Sequence, residues 1–238
     1  MRFEDSVRPR HGRRFEPTHE LRVGKDVESL AGKLPGARSG VLVIREMTGP
    51  FGVPDFTAVV GGARALERRL ALDVPALLNE IDAAVVSVLT PRRPKTIVEI
   101  ENSIPWSQES VARRLPRLLR VGAVIQLRPG AYTRPSDLQS IGTIWALEVK
   151  VNNWRKAISQ ARTYSIWADG YVVILGPVGG PVIAKVLEEA ALDQSGVVID
   201  GVWFRKPHVQ RQSRMRHLWA SEHVIAALRH HYQPSPLP

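Results

Sequence analysis

The chain has 238 residues, 44% hydrophobic and 24% charged, and no cysteine. That length buries a real core as one large domain or two small ones. The missing cysteines exclude disulfides and thiolate metal sites, and no run approaches the roughly 18 apolar residues of a membrane span. Lysine and arginine number 33 against 23 acids, a net charge of +10, which favours polyanionic partners, nucleic acid first among them. The opening MRFEDSVRPRHGRR lacks the apolar segment of a secretory signal, so a cytoplasmic location is expected.

In chain order, residues 1–17 read as a basic, mobile arm. From Thr18, HELRVGKDVESLAGKL spaces Leu21, Val27, Leu30 and Leu34 as a helix does, with Gly36 as its stop. GVLVIREM (40–47) and VPDFTAVV (53–60) read as two strands joined by the turn-rich TGPFG. ARALERRLALDVPALLNEIDAAVVSVLT reads as two helical pieces parted near Asp73–Pro75, and PRRP (91–94) breaks the chain. A short helix near 96–103 leads to a turn at Pro105–Trp106. A second helix starts at Ser107, a good N-cap, and Gly122 ends it. The strand AVIQL, the turn at Arg128-Pro-Gly130 and the strand AYTR follow.

Two helices with a tight turn and then a hairpin, over about residues 75–135, resemble a winged helix-turn-helix. That resemblance implies that Gln108, Arg113, Arg114 and Arg117 on the second helix face DNA, with Arg128 and Tyr132 on the wing. Val111, Leu115, Leu118 and Leu119 then form the buried stripe. Pro116 falls inside the second helix, where it removes a hydrogen bond and predicts a kink. A winged unit used only for protein contact stays open as an alternative.

After the wing, IGTIWALEVKV reads as a strand, NWRKAISQARTYSIWA as a helix and GYVVILG as a strand. PVIAKVLEEAAL is a further helix, and SGVVIDGVWFRK a hairpin whose Asp200-Gly201 matches a type I′ turn. Residues 217–230 form a closing helix. The segment FRKPHVQRQSRMRH (204–217) holds Arg205, Lys206, Arg211, Arg214 and Arg216 without an acid, and is expected to grip phosphates.

Glu148 and Lys150 sit two apart within an apolar, β-branched strand, so both point to one face. An unpaired charge there would be costly, and each therefore needs a partner. Read together, VPDF on one strand, LEVK on another, and Gln160 and Tyr164 on the helix that follows resemble the PD-(D/E)xK nuclease superfamily, the restriction-endonuclease-like fold. Gln160 and Tyr164, at i and i+4, share one face of that helix. The resemblance covers about residues 18–62 and 140–206. It implies an α/β restriction-endonuclease-like core (18–62 and 140–238), a mixed sheet flanked by helices, with an inserted α+β winged-helix unit (63–139).

It also implies a site. Asp55, Glu148 and the Val149 carbonyl would hold Mg²⁺, with Mn²⁺ as a substitute, and Lys150 would assist the attacking water. Gln160 and Tyr164 would brace the site, and Glu28, with Glu20 second, would be the acid from the first helix. DNA is the implied substrate, members of the superfamily commonly cut both strands as dimers, and an activating partner protein is compatible with it. A DNA-binding regulator with a non-catalytic nuclease-like core is the second reading. A nucleotide-binding protein using the glycine-rich loop at 176–180 is the third. The histidines (His208, His217, His223, His230, His231) lack the spacing of a zinc helix motif, and no G-x-S-x-G supports a serine hydrolase.

Overall fold

The computed structural model describes residues 2–5, 26–151 and 153–232. Among these residues a seven-stranded mixed sheet runs in the order β1-β2-β3-β6-β7-β8-β9. Its strands are β1 (Arg2–Asp5), β2 (Val41–Arg45), β3 (Phe56–Val60), β6 (Thr143–Lys150), β7 (Gly170–Leu175), β8 (Gly196–Ile199) and β9 (Val202–Arg205). A separate two-stranded ladder pairs β4 (Ile125–Arg128) with β5 (Ala131–Thr133). The helices are α1 (Val27–Ala31), α2 (Ala63–Ala71), α3 (Glu80–Val88), α4 (Ile97–Glu101), α5 (Gln108–Arg120), α6 (Trp154–Tyr164), α7 (Gly180–Leu192) and α8 (Arg214–Tyr232). The fold is thus mixed α/β with helices on both sheet faces. No helix among the described residues is long and apolar enough to cross a membrane.

Side-chain alternation sorts the sheet into two cores. One face sends Ile44, Val59, Ile144, Ala146, Val173 and Val197 against Ala157, Ile158 and Ala161 of α6, Val186 and Ala190 of α7, and Ala220, Val224 and Leu228 of α8. The other sends Val43, Ala58, Trp145, Leu147, Val149 and Val172 against Val27, Leu30 and Ala31 of α1 and Leu34 beyond it. β6 is buried on both faces and central, as its unbroken apolar run predicts. The pairs β2–β3 and β3–β6 are antiparallel, whereas β6–β7 and β7–β8 are parallel, each crossing over through a helix. Asp200 and Gly201 both take positive φ (48° and 75°) in the β8–β9 turn, the geometry of type I′.

The middle of the chain builds a third core. Val74, Leu77, Val85, Ile100, Val111, Leu115, Leu118 and Leu138 pack together with Leu218 of α8. Asn79 caps α3, Thr96 and Glu99 form a capping box on α4, and Ser107 caps α5. Lys95 adds a bridge to β5 by exchanging both backbone hydrogen bonds with Tyr132 (2.8 Å each). Of the stripe read from the sequence, Val111, Leu115 and Leu118 are buried and Leu119 is half-buried against the same core. Helix α5 nevertheless runs unbroken from Gln108 to Arg120 through Pro116.

Three further differences from the sequence reading have physical causes. Residues 2–5, taken as part of a mobile arm, form β1 and pair in parallel with β2, covering its otherwise open edge. The first helix, expected to run to Gly36, ends at Ala31 where Gly32 caps it, and its expected start at residues 18–25 lies outside the described residues. Helix α2, placed within the inserted segment, packs Ala65, Leu66 and Leu70 on the sheet core instead. The separate core begins at Val74.

A fully buried ion pair fastens the passage between the cores. Arg69 Nε and Nη2 donate to Glu222 of α8 at 2.8 and 2.6 Å, and Nη1 donates to the Val74 carbonyl at 2.9 Å. The Leu77 amide donates to the same carboxylate at 2.9 Å. Removing one partner strands the other charge without water. Glu222→Gln or Arg69→Met alone is therefore expected to cost about 3–5 kcal/mol of unfolding free energy in a denaturant titration. The double apolar replacement Arg69→Met with Glu222→Leu is expected to recover most of that loss.

Candidate active site

The antiparallel register of β3 and β6 pairs Phe56 with Leu147. One step further along, Asp55 stands opposite Glu148. Both side chains fall on the sheet face covered by α6, and so does that of Lys150. Asp55 accepts the Val149 amide on Oδ2 at 2.7 Å, which fixes the carboxylate against the end of β6.

The ammonium of Lys150 lies 2.8 Å from Glu148 Oε1, 3.6 Å from Asp55 Oδ2 and 2.9 Å from the Val149 carbonyl, to which it donates. The three oxygens read from the sequence as metal ligands thus converge on one positive centre. Tyr164, on α6, donates its hydroxyl to Glu148 Oε2 at 2.9 Å and stands 3.2 Å from the Val53 carbonyl. Glu148 is only 1% exposed, and all of its oxygens are occupied by Lys150 and Tyr164. The pair noticed in the sequence is therefore a buried three-way junction of acid, amine and phenol.

Burial pushes the Glu148 carboxyl up to about 7; the negative charge of Asp55 adds to this, while Lys150 and Tyr164 pull the other way. Burial likewise raises Asp55, against the opposing pull of Lys150 and the Val149 amide. Burial first, then Glu148, holds the Tyr164 phenol well above its ordinary value, so it stays a donor at neutral pH. Two carboxyls with raised affinity for protons mark a point where more positive charge would be welcome.

The donor set suits Mg²⁺ or Mn²⁺. It consists of hard oxygens alone, with no nitrogen or sulfur to favour zinc or copper. The Lys150 ammonium lies among these three oxygens, which face one point. Two carboxylates and a carbonyl leave positions for the waters that Mg²⁺ retains. Among the described residues no cluster of three or more acids or histidines is gathered as a ligand set. Glu28 is exposed on α1, a helix that packs on the opposite face of the sheet. Glu20 lies outside the described residues. Gln160 is half-buried one turn before Tyr164, and its Oε1 is a buried acceptor with no partner.

The residues read as contacts to DNA divide into two groups. Gln108, Arg113 and Arg128 are exposed, Arg113 with only a 4.0 Å ion pair to Glu109, while Tyr132 is half-buried beside the Lys95 bridge. Arg114 instead grips Asp82 of α3 with both arms, Nε to Oδ1 at 2.6 Å and Nη2 to Oδ2 at 2.7 Å. Arg117 joins the same carboxylate. Asp82 is 0% exposed, so these two arginines neutralise a buried acid and tie α5 to α3. Asp82 was missed in the sequence, where its signal was an acid within the apolar run IDAAVVSV. The loop carbonyl of Val53 was missed as well, since a backbone acceptor leaves no trace in side-chain types.

The basic segment after β9 stands apart from the acids. Arg205 occupies the same cross-strand row as Glu148, through Val173 and Val197, three strands and roughly 14 Å away. It is half-buried, and its Nε has no partner. Lys206 lies over the Trp203 ring at 4.2 Å and donates to the Lys33 carbonyl at 2.6 Å. Arg211 and Arg214 are exposed.

No family model, no curated protein and no solved structure matches this chain. Two expected outcomes follow from the geometry. Folded Glu148 binds its proton up to about pH 7, whereas unfolded it would release it near 4.5. The folded state therefore holds more protons between those values, and unfolding free energy is expected to fall as pH rises through that window. Denaturant titrations at pH 5 and pH 8 should show this decline, smaller in Glu148→Gln. Arg114→Ala should lower stability by about 1–3 kcal/mol, because it leaves buried Asp82 under-paired; Arg113→Ala should leave the melting temperature unchanged.

Proposed function

We propose that this chain is a metal-dependent nuclease of the restriction-endonuclease-like class, hydrolysing phosphodiester bonds in DNA. The observation that carries the reading is the convergence of Asp55, Glu148 and the Val149 carbonyl on the Lys150 ammonium, at the end of two adjacent antiparallel strands. The wider layout supports it: β2, β3, β6 and β7 lie side by side in antiparallel, antiparallel and parallel pairs, with α6 crossing from β6 to β7. That is the order of elements the resemblance implies.

Asp55, Glu148 and the Val149 carbonyl would hold a divalent cation, which when bound would supply charge neutralisation at the phosphate and acidify the attacking water. The chain's own residues do the rest. Tyr164 holds Glu148 in one rotamer, and the Val149 amide does the same for Asp55. Lys150, on the same face, places a positive charge where the water attacks and where negative charge grows on the phosphoryl oxygens. The product expected of such water attack carries a 5′-phosphate, with no covalent intermediate.

The middle segment supports a winged-helix reading. Its order is α3, the Lys95 bridge, α4, α5, then the β4–β5 hairpin, with Lys95 tied to the hairpin by one isolated bridge. In that reading α5 meets DNA through Gln108 and Arg113, and the hairpin through Arg128, while Arg114 and Arg117 stay with Asp82.

Cleavage of supercoiled, linear, branched and single-stranded DNA with Mg²⁺ or Mn²⁺ tests the proposal. Wild-type protein is expected to cut. Lys150→Ala and Asp55→Ala are expected to lose at least about a hundredfold in rate while still binding DNA. Because Glu148 must shed its proton to serve as a ligand, the wild-type rate should climb from pH 6 towards pH 8. Salt-sensitive duplex binding without cutting on any substrate would favour the regulator reading instead.

A further inference from the structure

The loop between β2 and β3, residues 46–55, is fixed yet ends in two exposed apolar side chains. Its base closes through the Glu46 amide on the Asp55 carbonyl at 2.9 Å. Two side chains from outside then donate to its carbonyls, and a third lies against one more. His223 Nδ1 donates to Thr48 at 2.8 Å, Trp167 Nε1 donates to Phe51 at 3.0 Å, and the Tyr164 hydroxyl stands 3.2 Å from Val53. Two glycines let the loop lie flat on the rings beneath it. A Cβ at Gly49 would stand 2.6 Å from the Trp167 ring, and one at Gly52, whose φ is +77°, would stand 3.1 Å from Tyr164.

Held in this way, the loop leaves Phe51 44% and Val53 43% exposed. Phe51 is braced edge-to-face by Trp219, with ring centroids 5.6 Å apart. Val53 is two residues from Asp55, and the phenol beside its carbonyl is the one that orients Glu148. The apolar tip and the carboxylates therefore share one rigid support.

We infer that Phe51 and Val53 form a platform for an unstacked nucleobase next to the scissile phosphate, so that the preferred substrate carries unpaired bases at the cut, as in single strands, flaps or junctions. The inference rests on the nuclease reading above. The outside of an intact duplex offers phosphates and sugars, which match the basic residues of this chain but not an apolar ledge. A ledge held by two side-chain hydrogen bonds to its backbone and packed on two aromatic rings does not bend to follow a groove. The face of an unpaired base does match it, and stacking on an aromatic side chain requires no particular sequence.

The test uses the full chain with Mn²⁺ and oligonucleotides cut at a mapped position. Phe51→Ala should lower kcat/KM on single-stranded or flapped DNA between about fivefold and a hundredfold, with Phe51→Trp close to wild type and all melting temperatures alike. An abasic site at one position flanking the cut should impose a similar loss on wild type and little more on Phe51→Ala, since both remove the same contact. An unchanged Phe51→Ala, or equal losses on perfect duplex and on unpaired substrates, would overturn the platform while leaving the nuclease reading intact. If wild type cuts nothing, the nuclease reading fails first. 2-Aminopurine in single-stranded DNA then decides the platform separately: quenching by wild type and not by Phe51→Ala retains it, and equal signals reject it.

Discussion

An ammonium group inside a sheet of hydrocarbon is stable only where oxygens surround it, and Lys150 finds its oxygens through strand register. The pairing of Phe56 with Leu147 brings Asp55 across from Glu148, and the two-residue period of the strand places Lys150 on the same face. A slip of one residue between β3 and β6 would turn Asp55 away from Glu148 and put Phe56 among the polar groups. Register here is enforced by both cores at once, because each strand buries hydrocarbon on either side. Apolar packing thus sets the electrostatics, although none of the packing residues carries charge.

The same economy appears in the helical segment, where positive charge serves two ends. Arg114 and Arg117 are absorbed by Asp82 inside the fold, while Gln108, Arg113 and Arg128 face solvent. A tally of basic residues overstates the surface field of α5, since a buried carboxylate cancels part of it locally. Lys206, drawn down onto Trp203 and the Lys33 carbonyl, shows a similar inward commitment beyond β9.

Much of the sheet was legible because it is built from local patterns. The central strand β6, the helix after it and the turn at Asp200-Gly201 each carry their signal within a few residues. So did the Glu148–Lys150 pair, since i and i+2 on a strand share a face whatever lies around them. The distant partners were not legible. Glu222 lies 153 residues from Arg69, and Asp82 lies 32 residues from Arg114, so nothing local tells an internal ion pair from a solvated one. The pairing of β1 escaped for a related reason: RFED has little strand character of its own and takes it from β2. Pro116 does not end α5, because its missing hydrogen bond weighs less than the apolar stripe that the helix buries.

Helix α8 gives Leu218 to the core of the helical segment and Ala220, Val224 and Leu228 to the core of the sheet. Among the described elements it follows every strand in sequence, so both cores draw on the same late segment. Neither apolar cluster is complete without α8. The sheet and the helical segment therefore share one closing element, and loss of α8 would open both.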